Sequence, residues 1–193
     1  MPGTKRALRL VILHTEPEQE HTVHMVESSP RDRVQPRLKS HQYLKPGDKI
    51  AVTRPRLFDI QTRREIPMDE KLFNNPWSIG QLRWAADSSQ FTFVYNQRGH
   101  QVLRLVAVGV EDGAARTLIE EAPETFVDYS NKQFAYHVES TGDVLWMSER
   151  DGWNHLYRFD ADGVLKNQIN SGEWVVRGAD RLDEEQQQNS LRA

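Results

Sequence analysis

Between Phe91 and Phe159 the alternation of apolar and polar positions is written twice. Phe91-Thr-Phe-Val-Tyr-Asn-Gln-Arg-Gly-His-Gln-Val-Leu-Arg-Leu105 is answered by Val144-Leu-Trp-Met-Ser-Glu-Arg-Asp-Gly-Trp-Asn-His-Leu-Tyr-Arg158. Each copy is a β-branched and aromatic run, a polar turn around a glycine, and a second alternating run, which predicts a β-hairpin. The turn glycines, Gly99 and Gly152, stand 53 positions apart, from 99 to 152. Recurrence at roughly 40 to 50 residues is the spacing of propeller blades.

A second phrase occurs three times. Leu57-Phe-Asp-Ile60 leads through a turn to Arg64-Glu-Ile66, Leu103-Arg-Leu-Val106 through Asp112-Gly113 to Arg116-Thr-Leu-Ile119, and Leu156-Tyr-Arg-Phe159 through Asp162-Gly163 to Leu165–Ile169. These read as outer hairpins. Innermost strands are expected at Ile79–Trp84, Thr125–Tyr129 and Gly172–Val176. Upstream, Ala7–Leu13 and Thr22–Val26 read as strands, Glu27–Leu38 as an irregular proline-broken crossing, and Met68–Phe73 as one helical turn. Leu182–Ser190 is polar and helix-prone, a tail expected to fray.

The fold class that follows is all-β, a partial β-propeller of about three four-stranded antiparallel blades. The blades are expected at roughly 7–67, 79–120 and 125–170, with a further blade starting over 172–181 and a polar tail over 182–193. Propellers close with about four to eight blades. The chain is therefore a piece of a longer propeller, or closes by association, or packs its flanking sheets in another way; the first is the preferred reading.

Composition narrows the function classes. The chain has 193 residues, 37% hydrophobic and 27% charged, and a net charge of -3 with both signs scattered, which gives no electrostatic reason to expect nucleic acid as a partner. No apolar run reaches the length of a membrane span. The start has basic residues before Ala7–Leu13, but the patch is too short for a signal peptide and lacks a cleavage site. Without cysteine there is no thiolate nucleophile or zinc-thiolate site.

Candidate chemistry concentrates in two hairpin loops. Gln97, Arg98 and His100 flank Gly99, and Arg150, Asp151, Trp153 and His155 flank Gly152. Loops at one end of a propeller line its funnel or meet a partner. They also admit a purely structural reading, with glycine supplying positive φ, aspartate closing the turn, and His155 or Trp153 packing on the next blade. The regular aromatic positions Trp84, Trp146, Trp153, Trp174, Phe91, Phe93, Phe126, Tyr129 and Tyr157 read as packing between blades. His21 and His24, three apart in a strand, point to opposite faces and make no metal site. Asp128, Ser130 and His137 lack the strained turn of a catalytic triad. No catalytic residue, metal or cofactor is expected in this chain.

Several phrases nevertheless resemble a known family. Val26-Glu-Ser-Ser-Pro30, Tyr43-Leu-Lys-Pro-Gly-Asp48, Arg83-Trp-Ala-Ala-Asp-Ser88, Tyr95–Gln101, Ser148–Tyr157 and Gly172–Gly178 are similar to, and in the order of, the N-terminal β-propeller of the dipeptidyl peptidase IV group of the prolyl oligopeptidase family. Ser148-Glu-Arg-Asp-Gly-Trp-Asn-His-Leu-Tyr157 followed by Gly172-Glu-Trp-Val-Val176 is the most specific part. The resemblance implies an eight-bladed propeller in front of an α/β-hydrolase domain that trims short peptides from their N-terminus, exported or periplasmic in the parent protein. The hydrolase domain carries the serine, aspartate and histidine of such enzymes, and this chain has no Gly-x-Ser-x-Gly elbow. The glutamate pairs Glu120-Glu121 and Glu184-Glu185 lack the surroundings of the family's amine-binding pair, so that role is not transferred. The expectation is a non-catalytic propeller portion that gates and positions peptide substrates for a serine hydrolase domain. Its rival is a stand-alone interaction module completed as a homo-oligomer.

Overall fold

The computed structural model describes residues 8–130, 132–183 and 188–192. Ala7, where the first strand was expected to begin, and the pair Glu184-Glu185 lie outside them. The chain divides into two compact units, Leu13–Arg54 and the remainder.

The strands in order are β1 (Arg9–Glu16), β2 (Thr22–Glu27), β3 (Arg37–Gln42), β4 (Val52–Asp59), β5 (Arg64–Ile66), β6 (Pro76–Trp84), β7 (Gln90–Gln97), β8 (Leu103–Gly109), β9 (Ala115–Glu121), β10 (Ala135–His137), β11 (Val144–Ser148), β12 (His155–Phe159), β13 (Leu165–Gln168), β14 (Gly178–Asp183) and β15 (Gln188–Arg192). The only helical element among the described residues is a 3-10 turn at Glu70–Leu72, inside the expected helical turn and capped by the Asp69 carboxylate. The protein is all-β, and its sheets are those of partial propeller blades: β1-β4-β5, β6-β7-β8-β9 and β10-β11-β12-β13, with the pairs β2-β3 and β14-β15 apart.

In the larger unit the strand period of two sends alternate side chains to opposite faces, and each face meets a different neighbour. On β7 and β8, Phe91, Phe93, Tyr95, Val106 and Val108 pack with Leu57 and Phe73 toward the β1-β4-β5 sheet. The intervening Val94, Leu103, Leu105 and Ala107 pack with Val144, Trp146, Tyr157 and Phe159 of the following sheet. The other face of that sheet puts Leu145, Met147 and Leu156 against Val176 and Leu191. Blade stacking is therefore encoded residue by residue in the alternation, and the aromatic positions on β7, β11 and β12 are core, as their periodicity predicts.

Smaller, Leu13–Arg54 holds the β2-β3 hairpin, with Thr22 opposite Gln42 and Glu27 opposite Arg37. Arg37 and Lys39 both pair with the Glu27 carboxylate. β2 lies where Thr22–Val26 was read as a strand, and the irregular crossing is the connection over 28–36; only its partner β3 was not expected, because cross-strand ion pairs substitute there for the missing apolar alternation, a signal that periodicity does not carry.

Three further expectations are corrected. Thr125–Tyr129 is not a strand: the Val127 amide donates to the His100 carbonyl and the Tyr129 amide to Val127, so the turn of the preceding hairpin captures it. The innermost strand of that blade is β10, whose three residues are too few to show a period. Gly172–Val176 is not a strand either, because Asn154 takes both backbone groups of Val176, its carbonyl accepting at 2.7 Å and its Nδ2 donating at 2.6 Å. The polar tail does not simply fray: β14 and β15 pair antiparallel, and Leu191 reaches the core beside Val176. Pairing and burial override the local helix preference.

Candidate functional site

The hairpins β7-β8 and β11-β12 turn at the same end of the stacked sheets, and both turn glycines have the positive φ that the repeat demands: 97° at Gly99 and 93° at Gly152. The closures differ by one residue. The His100 amide closes on the Gln97 carbonyl, whereas the Gly152 amide closes on Glu149.

In the first loop the side chains cluster. His100 stacks on Tyr129 at 4.1 Å and meets Trp77 edge-on at 5.2 Å, while its Nδ1 lies 3.1 Å from Asn96 Oδ1. The Arg98 guanidinium lies 5.1 Å from the centre of the Trp77 ring, a cation–π distance. Gln97 contributes backbone, its amide donating to Val102. Two of the expected residues, Arg98 and His100, thus meet Trp77 and Tyr129, the second of which the sequence assigned to packing between blades. No local pattern pairs residues 77, 100 and 129; only blade stacking does.

The second loop is built more tightly. Arg150 donates from Nε to Ser148 Oγ at 2.8 Å and from Nη2 to Glu121 Oε1 at 2.7 Å, and its guanidinium sits 5.0 Å from the ring centres of both Tyr157 and Phe159. The same Glu121 oxygen accepts the Trp146 indole N–H at 3.1 Å. Glu121 therefore joins β9 to the next blade, a role hidden in the sequence because it depends on a partner 29 positions away.

Asp151 is held by His155 Nδ1 at 2.8 Å, by Gln168 Nε2 at 2.6 Å and by the Trp153 amide at 3.2 Å. Burial pushes its carboxyl up, but these hydrogen bonds, His155 first, outweigh it and bring it down to about 2. His155 itself is fully buried and lies edge-on to Trp174 at 5.6 Å. Tyr157 is pushed up to about 12, by burial first and then by the Asp151 charge. His155, Asp151 and Arg150 are thus parts of the packing, while Trp153 remains 40% exposed.

Between the second loop and the β9-β10 connection lies a cavity of about 330 Å³, lined by Glu121, Val127, Lys132, Glu149, Arg150 and Asn154 among others. Lys132 and Glu149 pair across it at 2.6 Å. Every exposed aromatic side chain among the described residues of the larger unit, namely Trp77, Phe126, Tyr129, Trp153 and Trp174, belongs to this end. No group of three or more metal-ligating side chains is found among the described residues. In chemical terms the described residues of this end offer aromatic faces and neutralised charge pairs.

The fold has counterparts of known structure. Dipeptidyl peptidase 4 of Porphyromonas gingivalis aligns with 91% of this chain at a TM-score of 0.71 and 18% identity, and a Bacteroides ovatus protein with a provisional dipeptidyl aminopeptidase IV assignment aligns with 95% at 0.63 and 16%. The chain spans 24% and 28% of those two proteins. At such identities the likeness is one of fold. The sequence itself matches the family described as the dipeptidyl peptidase IV (DPP IV) N-terminal region over residues 6–189, nearly its whole length, and the chain belongs to that family.

Proposed function

We propose that this chain is the non-catalytic propeller portion of a dipeptidyl peptidase IV-like serine exopeptidase, and that it gates and positions peptides for a hydrolase domain of the longer protein. The observation that carries the reading is the gathering of all five exposed aromatics of the larger unit on one end, beside the two glycine turns. Solvent-exposed Trp and Tyr faces contribute large contact area at small entropic cost, which suits transient contact with peptide. Arg150, Asp151 and His155 act in this reading by fixing the loop that presents Trp153.

The test uses the isolated chain and the whole protein side by side. The chain alone should release no chromophore from Gly-Pro-p-nitroanilide above a blank. The whole protein should cleave it, and Trp153→Ala together with Trp77→Ala should raise KM for short peptides while leaving kcat nearly unchanged. Cleavage by the isolated chain, or an unaltered KM in the double variant, would refute the assignment.

A second reading, a stand-alone interaction module completed by self-association, is favoured by one specific observation: Leu8, Leu10 and Ile12 lie exposed on the first sheet. The two readings separate on whether a serine hydrolase domain is encoded in the same reading frame.

A further inference from the structure

At the strand ends opposite the glycine turns, a second cavity of about 460 Å³ opens between the two four-stranded sheets. One wall is the β6-β7 turn from Arg83 to Gln90, the other the β10-β11 turn from His137 to Val144, with Ala161 contributed by the β12-β13 turn. The volume falls in the range of small-molecule sites, roughly 300–1,000 Å³. Its floor is apolar, made of Trp84, Leu118 and Val144.

The polar groups are few and unequal. Arg83 is the only lysine or arginine in the lining, and its Nη2 is paired at 2.6 Å with Oε1 of Glu139, a side chain 75% exposed to solvent. Asp87 is turned to its own loop, its Oδ1 accepting the amide and hydroxyl of Ser89. His137 lines the wall, held low by burial first and by the nearby Arg83 charge second, and so is neutral at neutral pH. The cavity thus presents one guanidinium over an apolar floor, and a surface carboxylate already shows where a carboxylate sits on it.

We propose that this cavity binds a small monocarboxylate with an apolar tail, its carboxylate taking the place of Glu139 on Arg83 and its tail lying on Trp84, Leu118 and Val144. An exposed ion pair is weakly held, so Glu139 is readily displaced, whereas the tail leaves water altogether. A dianion is disfavoured by Asp87 and Glu139 at the rim. An uncharged analogue forfeits the charge-assisted, fork-shaped contact with the guanidinium. A carboxylate on Arg83 also offsets the charge that helps keep His137 deprotonated, so occupancy and His137 protonation favour one another; Arg83, Asp87 and Glu139 are the charged groups that line the cavity with that imidazole.

The experiment is an NMR titration of the full chain with 3-phenylpropionate, and with 3-phenylpropanamide and 3-phenylpropylamine as controls. The acid should shift the Ala85, Ala86 and Val144 amides saturably, with a Kd on the order of 1 mM. The two controls should bind about ten-fold or more weakly. The His137 ring resonance should titrate at a higher pH with the acid bound than without it. Glu139→Gln removes the internal competitor from an exposed site without disturbing the core, and should tighten acid binding several-fold. Arg83→Leu should abolish the preference for the acid. Absence of saturable shifts, equal response to the amide or the amine, or unchanged affinity in Glu139→Gln would overturn the proposal.

Discussion

Glu121 shows how much one residue can carry at the seam between blades. Its Oε1 accepts from Arg150 and from the indole of the fully buried Trp146, and only 16% of the carboxylate side chain is exposed. Removing the acceptor strands a buried N–H and a guanidinium together, and each unmet buried donor costs roughly 1–3 kcal/mol. Glu121→Ala should therefore lower stability by about 2 kcal/mol or more, read as a shift of the urea midpoint at constant slope. Glu121→Gln retains an acceptor for Trp146 and should cost distinctly less; equal losses in the two variants would mean that the indole bond contributes nothing. His137 makes a second, pH-dependent prediction. Its folded pKa lies below the ordinary histidine value because burial and Arg83 disfavour the charged ring. Below the unfolded pKa of about 6.5 the unfolded state binds more protons than the folded one, so this contribution is present above that pH and is lost as the pH falls through it. The melting temperature of the native chain should drop between pH 7.5 and 5.5, and His137→Gln should flatten that drop. A variant whose pH profile overlays the native one would remove His137 as the cause.

Turns define the element scale, and two of them are clamps between successive blades. Gly113, in the β8-β9 turn, has φ 69°, and a Cβ there would lie 2.0 Å from the Pro67 carbonyl oxygen; Gly163, in the β12-β13 turn, has φ 86° and would meet the Leu118 oxygen at 2.1 Å. Each outer turn thus closes onto backbone of the preceding blade, with no room for a side chain. A left-handed non-glycine residue costs about 1–3 kcal/mol, and forced overpacking adds a similar amount. Gly163→Ala should destabilise by about 2–5 kcal/mol and shift the amides around Leu118, whereas Gly152→Ala, with open space at its Cβ, should show only the conformational part. Equal losses at both positions would dissolve the clamp. These two glycines also mark what was legible in advance. Asp112-Gly113 and Asp162-Gly163 name their turns in the sequence, and Phe91–Leu105 and Val144–Arg158 announce β7-β8 and β11-β12 by alternation. β10 and β3 were not legible, because three residues show no period and a strand tied to its partner by ion pairs shows no apolar one. At the candidate site, the loops were legible as loops. Packing of His155 was among the readings the turn admitted, but that Arg150 is bound to Glu121 while Trp77 and Tyr129 join His100 depends on contacts between blades, which no local spacing encodes.

On the scale of the whole molecule, a seam is complete only where two sheets meet. The faces of β7 and β8 are both covered, one by Leu57 and Phe73, the other by Trp146 and Phe159, and the side chains there are almost wholly buried. At the first sheet the face turned toward β7 contributes Val11 to the core, whereas Leu8, Leu10 and Ile12, one, three and five positions into the same alternation, remain 39–47% exposed. In a propeller such a face belongs against another blade, and three aliphatic side chains in a row on a sheet face are what association covers when no blade is there. The chain produced alone should therefore associate, its mean mass by light scattering rising with concentration through the micromolar range. Leu10→Lys with Ile12→Lys adds two charges to that face without touching the covered side, and should return the chain to a monomer with its melting transition nearly unchanged, since surface substitutions of this kind cost within about 0.5 kcal/mol. If the native chain is already a concentration-independent monomer, the face is tolerated bare and the stack is self-sufficient. If the double variant still associates, the contact lies elsewhere on the stack, and the exposed Val164 and Leu165 at its other flank become the surface to charge next.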